Sequence, residues 1–106
     1  MKLRIHENSL RLRLASHDLE KLGLSGRLQS SIRFGPEEKD TLAYSLEVRE
    51  ETRGVAAELR EGGIRFFIDN READRLASGG EVSIRAEQST GEGNTLIVLI
   101  ERDFAP

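Results

Sequence analysis

The chain has 106 residues, which suits one domain with a single hydrophobic core. It contains no cysteine, which excludes disulfides, thiolate nucleophiles and cysteine-based metal sites. The formal net charge of −3 disfavours nucleic acid as a partner. We find no secretory signal and no apolar run near the roughly 20 residues that a membrane helix needs. We therefore expect a cytoplasmic protein that binds neither nucleic acid nor membrane.

The first half of the chain predicts two β-hairpins separated by a short helix. Leucines alternate with arginines near the end of the predicted hairpin 2–15, which is typical of a strand with one buried face. Ser16 is the predicted N-cap of a helix that Gly23 and Gly26 end. Two further strands are predicted at residues 27–34 and 42–48.

The second half repeats this pattern without a gap when the numbering is shifted so that Leu12 falls on Phe66. Matched positions have the same predicted role in each copy, such as a buried strand residue or a helix N-cap. Ser16 with Asn70 and Leu28 with Val82 are two further matches. We predict one domain, 1–106, made by internal duplication, with repeats at about 1–52 and 55–106. The alternative is two unrelated halves that share a common supersecondary arrangement.

Two copies of a ββαββ unit give eight strands and two short helices, which is an α+β fold that is mainly β. Each copy has one apolar strand face that must be covered. A pseudo-twofold barrel, or two highly curved sheets closed on each other, buries both faces and removes exposed strand edges. We expect one of these two architectures.

Two terminal motifs resemble those of a family of small uncharacterised bacterial proteins. Residues 1–14 fit the family pattern MKxRIxxNSxRLRL. Residues 101–104, Glu-Arg-Asp-Phe, are similar to the closing E(K/R)DF motif. Family members continue with a cysteine, whereas this chain ends at Ala105-Pro106, so no role that rests on that cysteine is transferred. The resemblance implies the family's fold and no assigned activity.

The order of strands and helices is also similar to that of the triphosphate-tunnel enzymes. Those enzymes carry a Glu-x-Glu-x-Lys motif on their first strand, which holds metal and phosphate. The residues in this place are Lys2-Leu3-Arg4, and no equivalent triplet occurs elsewhere. The similarity therefore extends to topology alone.

Charged residues occupy matching places on the polar strand face of the two copies. Arg11 matches Arg65 in this way. Glu47 matches Glu101, and all four lie opposite the buried leucine face. Cross-strand ion pairs on a solvated face are one interpretation. The other is that this face lines a barrel interior or groove, where Arg11, Arg13 and Arg65 bind an anionic ligand.

Three residues of the second copy are apolar on the face that is polar in the first copy. They are Phe67, Ile97 and Leu99. A strand that is apolar on both faces is buried between layers or covered by a partner. Burial under the protein's own helices is one interpretation, and a homodimer or partner interface is the other.

No combination of residues predicts a catalytic centre. Ser16-His17-Asp18 has the residue types of a catalytic triad, but neighbours at a helix start cannot face one another. His6 and His17 share no ligand spacing, so we predict no metal, no cofactor and no catalytic residue. We predict a small non-catalytic binding or interaction module with an unknown protein partner or a second copy. The alternative is an enzyme or carrier that acts on an anionic, phosphate-containing small molecule in a barrel lumen.

Overall fold

The computed structural model describes residues 1–103. Each half of the chain contains two hairpins with a helix between them, in the order that the sequence predicts. The strands are β1 (Lys2–His6), β2 (Ser9–Leu14), β3 (Arg27–Arg33), β4 (Thr41–Val48), β5 (Val55–Arg60), β6 (Gly63–Ile68), β7 (Ser83–Gly91) and β8 (Asn94–Arg102). The helices are α1 (Ser16–Ser25) and α2 (Asn70–Ser78), and a 3-10 turn spans Glu38–Asp40.

The eight strands form two four-stranded sheets, so the fold is mainly β with two helices. Sheet A has the strand order β1-β2-β8-β7, and sheet B has the order β3-β4-β6-β5. Each sheet takes one hairpin from each half of the chain. The two hairpins meet at a central parallel pair, which is β2 with β8 in sheet A and β4 with β6 in sheet B.

The inward side chains of the two sheets form one hydrophobic core. Period-two alternation turns Leu12 and Leu14 of β2 inward, next to Val98 and Ile100 of β8. Phe66 of β6 joins them from sheet B, and all five side chains are fully buried. Burying each such side chain contributes about 1.5–3 kcal/mol relative to leaving it exposed.

Of the two architectures that the sequence predicts, the closed barrel is wrong. Within residues 1–103, no backbone ladder joins the two sheets, so β1, β3, β5 and β7 remain edge strands. The sheets pack through their apolar faces instead, and this packing covers both faces without closing the backbone hydrogen bonds into a ring.

The central strand registers of the two halves match under the shift of numbering that carries Leu12 onto Phe66. Leu12 pairs with Ile100 across β2 and β8. Phe66 pairs with Leu46 across β6 and β4, and the same shift carries Leu46 onto Ile100. Leu12 and Phe66 therefore have equivalent neighbours in the two sheets.

The sequence predicts that the two halves match without a gap, and this prediction is wrong in β7. Ile84, not Val82, pairs with β8 in the way that Leu28 pairs with β4. Ile84 is 8% exposed, whereas Val82 is 51% exposed. The shift arises because β3 begins directly after the α1 C-cap Gly26, whereas a loop separates α2 from Ser83 at the start of β7.

The helix caps lie one residue earlier than the sequence predicts. The N-caps are Ala15 and Asp69, so Ser16 and Asn70 are the first helical residues. Asp69 Oδ1 accepts a hydrogen bond from the Glu72 amide at 2.7 Å. In α1, the carboxylate of the third helical residue accepts from the N-cap amide. Carboxylates are strong acceptors at these positions, and they set both helix starts.

Candidate binding site

The matched charged residues lie on the outer faces of the two sheets. On sheet A, Glu101 accepts a hydrogen bond from Arg13 at 2.5 Å, and Arg11 lies 3.8 Å from the same carboxylate. The hydrogen bond to Glu101 raises the pKa of Arg13. On sheet B, Arg65 lies 3.6 Å from Glu47. Each sheet therefore carries an arginine–glutamate pair that joins the two halves of the chain on a solvated strand face.

The three predicted anion-binding arginines do not converge on one site. Arg11 and Arg13 belong to the outer face of sheet A, and Arg65 belongs to the outer face of sheet B. The space between the sheets is filled by apolar side chains. The predicted lumen lined by these arginines is therefore wrong, because the arginines point away from the apolar core.

The three apolar outer-face residues lie on different sheets. Phe67 on sheet B is 5% exposed, and its ring centroid lies 4.0 Å from the guanidinium carbon of Arg49 and 5.5 Å from that of Arg65. Such cation–π contacts stabilise a ring on a solvated face. The predicted cover by helices is wrong here, because arginines cover this ring. Ile97 and Leu99 are half-buried on sheet A, so the three residues do not form one patch.

The hairpin of β1 and β2 brings like charges opposite each other. A two-residue turn joins the strands, and the resulting register pairs Lys2 with Arg13 and Arg4 with Arg11. Like charges directly opposite each other on an antiparallel pair are destabilising. Four cations therefore share the outer face of this hairpin at a cost in folding free energy.

Carboxylates compensate these cations unequally. Lys2 Nζ lies 3.4 Å from Asp103, and Arg13 bonds to the glutamate of β8. Within residues 1–103, Arg4 makes no ion pair and no side-chain hydrogen bond. Among the same residues, its cross-strand partner Arg11 has only the distant contact with the carboxylate that Arg13 already engages. Arg4 and Arg11 are therefore the least neutralised cations of the hairpin.

These two arginines line an open depression at the edge of sheet A, with a volume of about 520 Å³. We call it the β1 pocket, and its lining residues are Arg4, Ile5, His6, Ser9 and Arg11. Among the described residues, no carboxylate lines it. The Ser9 hydroxyl donates to the His6 carbonyl at 2.7 Å, which ties the two strands together at the turn. The pocket offers two guanidinium groups, an imidazole and one exposed aliphatic side chain.

The second half of the chain builds the same hairpin without this excess of cations. In β5 and β6, the pair in the place of Arg4 and Arg11 is Glu58 and Arg65, which form an ion pair at 3.3 Å. The other cationic pair is replaced by Ala56 and Phe67. A hairpin of this fold therefore does not need four cations on its outer face.

Sequence reasoning missed Arg4, and the only functional role that it considered for His6 was that of a metal ligand. The signal was present in the alternation of the first hairpin, because pairing about the turn at 7–8 puts Arg4 opposite Arg11. This like-charge pair is unfavourable, and the second copy avoids it. The contrast between the two copies identifies the pocket more specifically than the match between their arginines does.

A second depression, of about 170 Å³, lies on the outer face of sheet B. Its walls include Arg27, Arg60 and Arg65. Arg60 and Arg65 both engage the carboxylate of Glu58, at 2.9 and 3.3 Å. Since two of its three arginines are already paired, this depression is the weaker anion site.

Residues 1–103 contain no group of three or more His, Cys, Asp or Glu side chains arranged to hold a metal ion. In the same part of the chain, neither helix has the length and apolar character needed to cross a membrane.

Comparison with known proteins identifies the family of the chain. No curated protein and no solved structure matches it. A family model described as "Family of unknown function (DUF7009)" matches residues 1–106. The chain therefore belongs to the family of unknown function DUF7009.

Proposed function

We propose that this protein is a small non-catalytic binding module, and that its β1 pocket binds an anionic segment of a partner protein. The observation that carries the proposal is the cross-strand pair of Arg4 with Arg11, which has an ion pair of Glu58 with Arg65 in its place in the second hairpin. A surface that keeps an unfavourable charge pair, where the same fold accepts a favourable one, is typical of a binding site.

The chemistry of the pocket favours an anion. The Arg4 guanidinium is exposed and unpaired within residues 1–103, so it can engage a carboxylate or phosphate without first losing an ion pair. Arginine recognises these groups through two parallel hydrogen bonds. The net charge of the whole chain is −3, so the cations of the first hairpin stand out locally.

The shape of the pocket favours a macromolecular partner. Small-molecule sites bury most of their ligand in a cleft or cavity. The β1 pocket is instead an open depression along a strand edge, with Ile5 exposed at 60%. A cationic surface with an exposed aliphatic side chain suits a protein segment better than a free small anion.

The test is a titration of the isotope-labelled protein with poly-L-glutamate, followed by amide chemical shifts. We expect salt-sensitive shifts in β1 and β2, because screening weakens exposed ion pairs. Arg4→Gln should weaken binding at least about tenfold, since a hydrogen bond to a charged group contributes about 1.5–3 kcal/mol. Arg60→Gln, which removes an arginine of the second hairpin, is the control. Shifts confined to sheet B, or no shifts at all, would overturn the proposal.

Three further features belong with this proposal. We infer that the two halves arose by internal duplication, and the matching registers of the central strands support this. We also take the motifs at 1–14 and 101–104 as the bacterial family's signature, although Phe104 lies outside the described residues. We expect the module to act in the cytoplasm.

A further inference from the structure

β1 is an edge strand with backbone groups available for pairing. Its only partner strand within residues 1–103 is β2. His6 pairs with Ser9 across the two-residue turn, and hydrogen-bonded pairs then alternate along the ladder. The amide and carbonyl groups of Leu3 and Ile5 therefore point away from β2, towards the open edge. Ile5 is also 60% exposed.

The second half of the molecule indicates what such an edge can bind. Ala57 on β5 matches Leu3, and both of its backbone groups are engaged by one side-chain amide. Gln88 Nε2 donates to the Ala57 carbonyl at 2.6 Å, and the Ala57 amide donates to Gln88 Oε1 at 3.0 Å. By strand register, Ile32 stands in the place of Gln88 in the first half, and it is 48% exposed. The edge at Leu3 thus has no equivalent internal partner among the described residues.

We propose that the partner binds as an extended strand, antiparallel to β1, and extends sheet A by one strand. This inference rests on the function proposed above and specifies its ligand. Main-chain hydrogen bonds to Leu3 and Ile5 give the segment its alignment. Its alternate side chains then face two different surfaces, acidic ones towards Lys2, Arg4 and His6, and apolar ones towards Leu3 and Ile5.

Charge complementarity favours this partner over a second copy of the chain. Two β1 strands paired antiparallel through Leu3 and Ile5 would place Arg4 opposite the other copy's Arg4. Like charges directly opposite each other are destabilising. A segment with acidic side chains at these positions replaces that repulsion with ion pairs.

The experiment uses the whole chain and three synthetic peptides of equal charge. The first is acetyl-Glu-Val-Glu-Val-Glu-amide, the second has both valine amides N-methylated, and the third has the same residues in the order Glu-Glu-Glu-Val-Val. Affinities are measured by titration calorimetry. Hydrogen exchange of the Leu3 and Ile5 amides is followed by NMR. We expect the first peptide to bind at least about tenfold more tightly than the other two, and to protect both amides from exchange.

Equal binding of all three peptides, with Arg4→Gln weakening each of them, would overturn strand addition and leave the anion-binding function standing. Failure of all three peptides and of poly-L-glutamate would overturn both. Self-association of the free chain with protection of the Leu3 and Ile5 amides would identify a second copy as the occupant, and would equally overturn the inference.

Discussion

The amino group of Met1 lies 2.9 Å from Asp18 Oδ2, and it joins the start of the chain to the first turn of α1. The same oxygen accepts a hydrogen bond from the Ala15 amide at 2.9 Å. Burial by itself would raise the pKa of Asp18, which is 8% exposed. The hydrogen bonds from the Met1 ammonium and the Ala15 amide outweigh burial, and the pKa of Asp18 is lowered.

Asp18→Asn should therefore destabilise the protein at neutral pH, by about 1–3 kcal/mol for a lost charged hydrogen-bond acceptor. A carboxyl group with a lowered pKa in the folded state stabilises the fold above its unfolded pKa. That contribution is lost as pH falls through the lowered folded pKa. The difference between wild type and variant should thus shrink in acid.

Urea unfolding of protein with a free amino terminus, at a series of pH values, checks this. Asp74→Asn, at an exposed position of α2, is the control and should change little. A stability difference that is constant between neutral and acidic pH would argue against the ion pair.

Phe67 is buried on the outer face of sheet B by the two arginine side chains that cover its ring. Phe67→Ala should lower the free energy of unfolding by about 2–4 kcal/mol. This is slightly less than the loss expected for the same substitution in the core between the two sheets. Phe34→Ala, at a position 74% exposed, should change it by less than about 0.5 kcal/mol. Thermal unfolding and size-exclusion chromatography measure both variants. Unchanged stability with a shift to a smaller species would point to an interface at Phe67 instead.

Gln88 of sheet A joins one edge of this sheet to sheet B through its two hydrogen bonds to Ala57. Gln88→Ala leaves a part-buried amide without its partner, so we expect a loss of about 1–3 kcal/mol. The Ala57 amide should also exchange faster with solvent. Gln29→Ala, at an exposed position of β3, is the matched control. An unchanged exchange rate at Ala57 in Gln88→Ala would show that the edges of the two sheets stay together without this side chain.

The sequence predicted the element order well because each element has a strong local signal. Alternating leucines mark β2, and a left-handed glycine ends α1. The sheet assignment was harder, because period-two alternation does not say which hairpin pairs with which. The loop before β7 was missed for a related reason. Val82 and Ile84 are both β-branched and in phase, so only the pairing with β8 separates them.

The candidate site was predicted in part. Arg11 was chosen because it has a counterpart in Arg65, yet the pocket depends on the contrast between them. Arg65 has Glu58 opposite it, whereas Arg11 has Arg4. Finding this contrast requires the cross-strand register of both hairpins, which a comparison of matched positions alone does not use.

Under the proposed function, the cations of β1 and β2 lower the stability of the fold and serve binding. Arg4→Glu should place a carboxylate opposite Arg11, as Glu58 stands opposite Arg65. Such an opposite-charge pair contributes about 0.2–1 kcal/mol, so the variant should be more stable than wild type. Glu58→Arg, the mirror change in the second hairpin, should destabilise the protein by a similar amount, about 0.2–1 kcal/mol.

The most direct measurement is urea unfolding of Arg4→Glu together with its affinity for the alternating glutamate–valine peptide. We predict a more stable protein that no longer binds the peptide. A variant that is no more stable than wild type, and that still binds the peptide with wild-type affinity, would rule out this role for the cations of the first hairpin.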